Sequence, residues 1–386
     1  MMPGRHSRHA ARNRMRVLLI LTDGYGCPGG IARVNLDLID SLCADRSVTK
    51  VVALARRTQA RPERIDAKLD YDARASQGIV RYVARLLRRT LSEGGYDLVV
   101  CTHLHLQPLA WLSARLCGAP SVLFLHGIEA WSAPRQILRR LAAKGSDWYV
   151  AATALTFDRA RRWLRIPDAR GIVAPFGVDL ARYMPGPASA EVLEKYRLRD
   201  SVVLLSLSRL ASGERYKGYD EVLDILGRLR AAEPRLVYVI AGDGDDRSRL
   251  EAKASSLGIA EHVRFTGHVS EAEKLELYRA ARAFVLAGWG EGFGLVLLEA
   301  LACGVPVVAS TLDGSFEAIK KGALGVAVDP HDPDALCAGI LEALRRPSGR
   351  RIAGLDYFSR EAFGQRIHDL ITQIAGTAYR RSVPQT

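Results

Sequence analysis

Short runs of branched and other apolar residues alternate with longer amphipathic segments along almost the whole chain, and few folds accommodate that rhythm. Apolar runs without polar alternation, each followed by a helical stretch, predict parallel strands joined by helical crossovers, because a strand covered by helices on both faces has no solvated side. In the first half these runs are RVLLIL from Arg16, VVALA from Val51, DLVVCTH from Asp97, SVLFLHG from Ser121, DWYVAAT from Asp147 and IVAPFGV from Ile172. In the second half they are VVLLSLSRL from Val202, LVYVIAGDG from Leu236, VRFTG from Val263, AFVLAG from Ala283, VPVVAS from Val305 and GVAVDP from Gly325.

A chain of 386 residues is too long for one ordinary core. The polar, proline-bearing stretch from Tyr183 to Ser189 is the expected joint. The expected fold is α/β, with two facing Rossmann-like domains that share an interdomain cleft. Residues 15–182 would form the first domain, completed by a carboxyl-terminal helix within 356–386, and residues 183–355 the second, with 1–14 a basic, disordered tail. Doubly wound sheets bind ligands beyond the carboxyl ends of their strands, so the polar strand ends should carry the chemistry.

The charge is one-sided. Residues 1–178 hold 28 Lys and Arg against 14 Asp and Glu, whereas the remainder holds 27 against 28. Nucleic acid, an anionic membrane surface, an anionic acceptor or simply an arginine-rich composition would each account for this. Nucleic acid is disfavoured, since no recognition motif or interleaved aromatics accompany the basic residues. Cys27, Cys43, Cys101, Cys117, Cys303 and Cys337 lack metal-ligand spacing and fit a reduced, cytoplasmic setting. The apolar run from Val17 to Leu21 is too short for a secretory signal, and no stretch reaches the roughly 20 apolar residues of a spanning helix.

The strongest local motif is GWGEGFGLVLLEALACGVPVVAS, from Gly288 to Ser310. Gly290, Gly292 and Gly294 break the chain after a strand, and LVLLEALA then starts a helix. The amides of Gly292, Phe293, Gly294 and Leu295 at that helix mouth would suit a diphosphate. Glu291 and Glu299 lie up to about 12 Å apart at a rise of 1.5 Å per residue, too far to share one metal but able to hold hydroxyls at two ends of a nucleotide-sugar. The other possibility is a solvated Glu291 and a helix-capping Glu299.

In SLSRLASGERYKGYDEVLDIL, Arg209 closes a strand and Lys217 precedes Gly218 at the mouth of the next helix. Both cations would project from one end of the second sheet, where they could neutralise a departing phosphate. In GYGCPGGIARVNLDLIDSL, Gly29 and Gly30 permit close backbone approach to a ligand, followed by a helix from Ile31 to Leu42. His126, in FLHGIEAW, is expected to face the cleft. His103 and His105 alternate along an extended segment and suit acceptor contact or packing equally. Asp243, Asp245 and Asp246 read as a turn rather than a metal site.

Taken together, GGIAR from Gly29, the His126-Gly127 pair, Arg209 with Lys217-Gly218, AGDG from Ala241, VRFTGHV from Val263 and the E-x7-E of Glu291 and Glu299 resemble the retaining GT-B glycosyltransferases known as family four, the glycogen synthase-like group. The resemblance covers nearly the whole chain. It implies a hexose moved from a GDP- or UDP-linked donor to a lipid-linked or polysaccharide acceptor, in cell-envelope or exopolysaccharide synthesis, with no cofactor and no metal. Mannose from a GDP donor is preferred by resemblance alone. In the implied site Gly30 packs on the donor diphosphate, Arg209 and Lys217 hold its phosphates, Glu291 meets the sugar, Glu299 the ribose, Gly267 and His268 the base, and His126 the outer hydroxyls of the sugar.

Three features depart from the family pattern. The stretch ASGERY separates Arg209 from Lys217, DGSFE from Asp313 to Glu317 replaces paired glycines followed by Pro-Glu, and the first fourteen residues match nothing, so that Met15 is a second candidate start. A nucleotide-sugar epimerase and a nicotinamide oxidoreductase are the rival enzymes, the first lacking extra carboxylates and the second its full glycine fingerprint. The segment from Gly78 to Leu91 sets Ile79, Val83, Leu86, Leu87 and Leu91 against Arg81, Arg85, Arg88 and Arg89, as a helix on an anionic cytoplasmic leaflet would. Residues 134–145 repeat the theme more weakly. The helix expected within DYFSREAFGQRIHDLITQI, from Asp356 to Ile374, would cross back to the first domain.

Overall fold

The computed structural model describes residues 14–62 and 65–382, so nearly all of the basic stretch read as residues 1–14 lies outside the described residues. The chain divides into two compact units, one of residues 1–177 and 360–386 and the other of Val178–Ser359. The stretch read as the joint therefore lies just inside the second unit.

The first unit is a seven-stranded, all-parallel sheet in the order β3-β2-β1-β4-β5-β6-β7. Its strands are β1 (Met15–Asp23), β2 (Val48–Arg57), β3 (Leu69–Tyr71), β4 (Leu98–Cys101), β5 (Ser121–Leu125), β6 (Trp148–Ala151) and β7 (Gly171–Val173). The strand expected from Ile172 is reduced to this last short edge. Val17, Leu18, Leu19, Ile20 and Leu21 of β1 have no exposed surface, as a central strand with helices on both faces requires. The order reverses between β1 and β4, which pair from Val17 with Leu98 to Ile20 with Cys101.

Helix α1 (Gly30–Ala44) follows β1. Helices α2 (Ile79–Arg88), α3 (Gln107–Cys117), α4 (Ile137–Lys144) and α5 (Ala154–Leu164) pack side by side in chain order. The last described helix, Arg360–Ser382, packs on α1 and belongs to the first unit. Phe363, Ile367, Leu370, Ile371 and Ile374 form its buried stripe, at the spacing of one helical face. Two polar ties fix its register: Arg360 Nε lies 2.9 Å from Asp37 Oδ1, and His368 Nδ1 lies 2.7 Å from Asp45 Oδ2.

The second unit has six parallel strands in the order β10-β9-β8-β11-β12-β13. They are β8 (Val202–Leu207), β9 (Leu236–Ala241), β10 (Val263–Gly267), β11 (Ala283–Leu286), β12 (Val307–Ser310) and β13 (Val326–Val328). Here the reversal falls between β8 and β11. A buried hydroxyl network ties the three central strands: the Ser206 and Tyr238 hydroxyls lie 2.8 Å apart, and Ser206 donates to the Val285 carbonyl at 2.7 Å. A buried network with every member paired favours one register of these strands over its neighbours.

Candidate active site

The second unit concentrates its chemistry at the reversal point. A turn, Ser212–Lys217, leads from β8 into helix α7 (Tyr219–Ala232), and the residues after β11 lead through Gly288–Gly294 into α10 (Leu295–Ala302). These two connections touch. Gly218 stands at φ +82°, and a methyl group there would lie 1.8 Å from the Ala287 carbonyl oxygen, so only glycine lets the turns close on each other. The Trp289 amide then donates to the Tyr216 carbonyl at 2.9 Å.

That closure brings together two residues distant in sequence. Lys217 Nζ donates to Glu291 Oε2 at 2.6 Å, and both side chains are largely buried. Burial alone would raise the Glu291 carboxyl, but the Lys217 ammonium and the amides of Phe293 and Gly292 outweigh it and hold the group below its ordinary value. Burial likewise works against the Lys217 charge, and Glu291 more than restores it. The site therefore holds a charged pair, not the solvated glutamate that remained an alternative. Two of the amides expected to be open to a diphosphate are turned to this carboxylate.

Arg209 occupies the same end of the sheet but differs from Lys217. It is 69% exposed and paired with Glu214, whose second oxygen lies 3.4 Å from Arg209 Nε. The expected fixed cation thus carries a counter-ion of its own. Glu299 is buried inside α10 rather than capping it, and accepts from Tyr278 Oη at 2.8 Å and Lys274 Nζ at 3.1 Å. Gly267, at φ +70°, ends β10 with its carbonyl accepting from the Gly242 amide at 3.1 Å, and the adjoining His268 is exposed.

Asp313 was legible only as a departure from a family pattern, yet it organises the site. Its Oδ2 accepts the Glu291 amide at 2.8 Å, and its Oδ1 accepts the Ser315 amide at 3.0 Å. Gly314 returns a bond from its amide to the Glu291 carbonyl at 2.8 Å. Burial pushes the Asp313 carboxyl up to about 6. The aspartates of the AGDGDD turn are each engaged: Asp243 accepts from the Gly244 amide, Asp245 from Ser212, and Asp246 from Arg249.

In the first unit, Gly29 stands at φ +101° at the start of α1, with open space where a side chain would be. His126 departs from expectation. Its ring is buried rather than open, Nε2 lies 2.6 Å from the Thr102 carbonyl, and its face packs on Phe176 at 5.4 Å between centroids. Burial holds the imidazole below its ordinary pKa, so Nε2–H donates to Thr102. His103 and His105 do share a side, with ring centroids 4.5 Å apart, but His103 is buried and held down to about 4 by burial and by His126. Only His105 of the pair is exposed.

The segment read as a membrane helix is divided in use. Tyr82 and Leu86 belong to the core, Arg85 clasps Asp72 at 2.7 Å, and Arg89 clasps Asp70 at 3.0 Å. Its apolar stripe thus in part covers the sheet, and two of its cations are neutralised internally.

Two doubly wound parallel units thus make up the described chain, the second with a lysine and a glutamate joined at its strand-order reversal and another glutamate one turn into the following helix. Solved structures agree on the fold. A crystal structure of Anabaena Alr3699/HepE in complex with UDP and glucose superposes with a TM-score of 0.75 at 19% identity, covering 93% of this chain and 99% of that one. Sucrose-phosphate synthase from Thermosynechococcus elongatus does so with a TM-score of 0.74 at 20% identity, over 94% and 100%.

The sequence models described as Glycosyl transferases group 1 and Glycosyltransferase Family 4 match residues 191–354 and 28–182. The chain is 35% identical over 314 residues to the GDP-mannose-dependent alpha-(1-6)-phosphatidylinositol monomannoside mannosyltransferase of Mycolicibacterium smegmatis, covering 75% of this chain and 80% of that protein. It is 32% identical over 336 residues to the D-inositol 3-phosphate glycosyltransferase of Geodermatophilus obscurus, covering 79% and 74%. The protein therefore belongs to the group 1, family four glycosyltransferases.

Proposed function

We propose that this glycosyltransferase moves mannose from GDP-mannose to an inositol-phosphate-bearing lipid acceptor at the cytoplasmic face of the membrane, with retention of anomeric configuration and without a metal ion. The observation that carries the reading is the Lys217–Glu291 pair at the reversal point of the second sheet. The similarity to the mycolicibacterial mannosyltransferase and to the inositol-phosphate glycosyltransferase supports the choice of donor and acceptor class.

In this reading the donor diphosphate takes Lys217 and Arg209 as counter-ions, which requires Arg209 to leave Glu214. Glu291 leaves the Gly292 and Phe293 amides for hydroxyls of the sugar, the amides from Gly292 to Leu295 then receive the phosphate oxygens, and Glu299 meets the ribose. Gly267 and His268 border the base. As the glycosidic bond to phosphate breaks, negative charge grows on the leaving diphosphate, and fixed cations stabilise that state more than the ground state.

Incubation with a panel of GDP- and UDP-sugars in the presence of a chelator tests the proposal, with products resolved by proton NMR. Release of GDP from GDP-mannose and an α-linked product on a phosphoinositol lipid are expected. Turnover confined to UDP donors, an inverted product, donor epimerisation or an absolute need for a divalent ion would each contradict it.

A further inference from the structure

The β3 edge of the first sheet carries a small pocket lined by charge. Between the turn Ala73–Ser76 and the end of α2 lies a cavity of about 220 Å³ whose wall is formed by Arg74, Arg85, Arg88, Arg89 and Glu93. Four guanidiniums around one small space repel each other, so each needs a compensating partner. Two of them have one. Arg85 clasps Asp72 through Nε and Nη2 at 2.7 Å, and Arg89 holds Asp70 through both terminal nitrogens at 3.0 Å, which pins the end of α2 to the edge strand.

Arg74 and Arg88 differ. Both are exposed, and among the described residues neither has a hydrogen-bonding or ion-pair partner for its side chain. The acids nearby are already engaged: Asp70, Asp72 and Glu93 serve Arg85, Arg89 and Lys50, whose Nζ lies 3.2 Å from Asp70. Five cations against three carboxylates leave two positive charges unanswered at this pocket, and one dianion between Arg74 and Arg88 would balance them. Phosphate suits the place on further grounds. Guanidinium forks match its oxygens bidentately. The cavity equals about seven waters at roughly 30 Å³ each, which is room for a phosphate with a short organic group but not for a nucleotide-sugar. Arg85 and Arg89 are fixed beforehand by their carboxylates, so only two side chains have to be ordered on binding.

We infer that this pocket binds a terminal phosphate dianion, free or carried by a small metabolite, with Arg74 and Arg88 as its ligands and Arg85 and Arg89 as the wall behind it. The pocket belongs wholly to the first unit, and no residue assigned to the donor is part of it, so the inference does not rest on the proposed reaction. A ligand that bridges Arg74 to Arg88 ties the turn after β3 to the end of α2, and its occupancy stabilises this edge of the sheet.

Calorimetric titration of inorganic phosphate into the full chain tests this, with GDP at saturation to occupy the donor residues and sodium chloride holding the ionic strength constant. One-to-one binding with a Kd on the order of 1 mM is expected, weakening below about pH 6 as the dianion takes up a proton. Glycerol 3-phosphate, titrated in the same way, tells the two sources apart: tighter binding than phosphate supports a metabolite, and weaker binding supports the free ion. Dimethyl phosphate, a monoanionic diester, should bind at least tenfold more weakly than phosphate. The double variant Arg74→Gln with Arg88→Gln should lose at least tenfold in phosphate affinity, while its thermal unfolding in phosphate-free buffer and its GDP binding match the parent. Failure of the parent to bind GDP would count against the donor reading alone, because the difference between parent and variant is read without GDP as well. No phosphate binding by the parent, undiminished binding by the variant, or equal affinity for dimethyl phosphate would overturn the inference.

Discussion

At the scale of single residues, the account rests on charges held where water is scarce. Removing Lys217 leaves the Glu291 carboxylate without its strongest partner, so Lys217→Ala should cost roughly 10² to 10³ in turnover and also lower stability by a few kcal/mol. Steady-state rates together with thermal unfolding check both, and near-parental turnover would remove Lys217 from the chemistry. Arg209 calls for the opposite experiment. Because its ion pair with Glu214 is exposed, breaking it should cost no more than about 1 kcal/mol, and Glu214→Gln should tighten the donor KM by up to about fivefold with little change in kcat. Asp313 offers a pH signature. A carboxyl raised from 3.8 to about 6 favours the folded state below the lower value and loses that contribution as pH rises through the upper one. Relative to Asp313→Asn, the parent should therefore lose roughly 3 kcal/mol between about pH 4 and pH 7 in chemical denaturation, and a constant difference would show the assignment of Asp313 to be wrong.

At the scale of elements, the strands were legible because apolar runs without alternation admit few readings, and Arg209, Lys217 and Glu291 were legible because each follows such a run. What stayed hidden depended on contacts distant in sequence. DGSFE gives no local hint that Asp313 receives the amide of Glu291, twenty-two positions earlier. A strand-end histidine before a glycine looks open from the chain alone, and only the Thr102 carbonyl and the Phe176 ring reveal His126 as buried. Amphipathic spacing in α2 likewise cannot say whether an apolar stripe covers a sheet or a bilayer. Two element-scale substitutions test the packing. Phe363→Ala should cost about 3–5 kcal/mol, because its ring, on the last helix, is fully buried beside Phe176. Gly218→Ala should separate the two turns that join Lys217 to Glu291, abolishing GDP release from GDP-mannose. An alanine variant with normal GDP release would show that this approach of the turns is not needed.

At the scale of the whole molecule, the two units divide their electrostatics. Residues 1–178 hold the entire excess of positive charge, while the rest of the chain, which includes Arg209, Lys217 and Glu291, is close to neutral. Donor recognition then relies on a few placed cations rather than a general field, and should respond to salt far less than phosphate binding between the exposed Arg74 and Arg88 does, since buried pairs are screened less than exposed ones. The most direct test of the central claim is calorimetric titration of GDP into the purified protein in the presence of a chelator. Saturable one-to-one binding is expected, weakened at least tenfold by Lys217→Ala. Absence of binding, or binding that appears only when magnesium or manganese is added, would contradict the account.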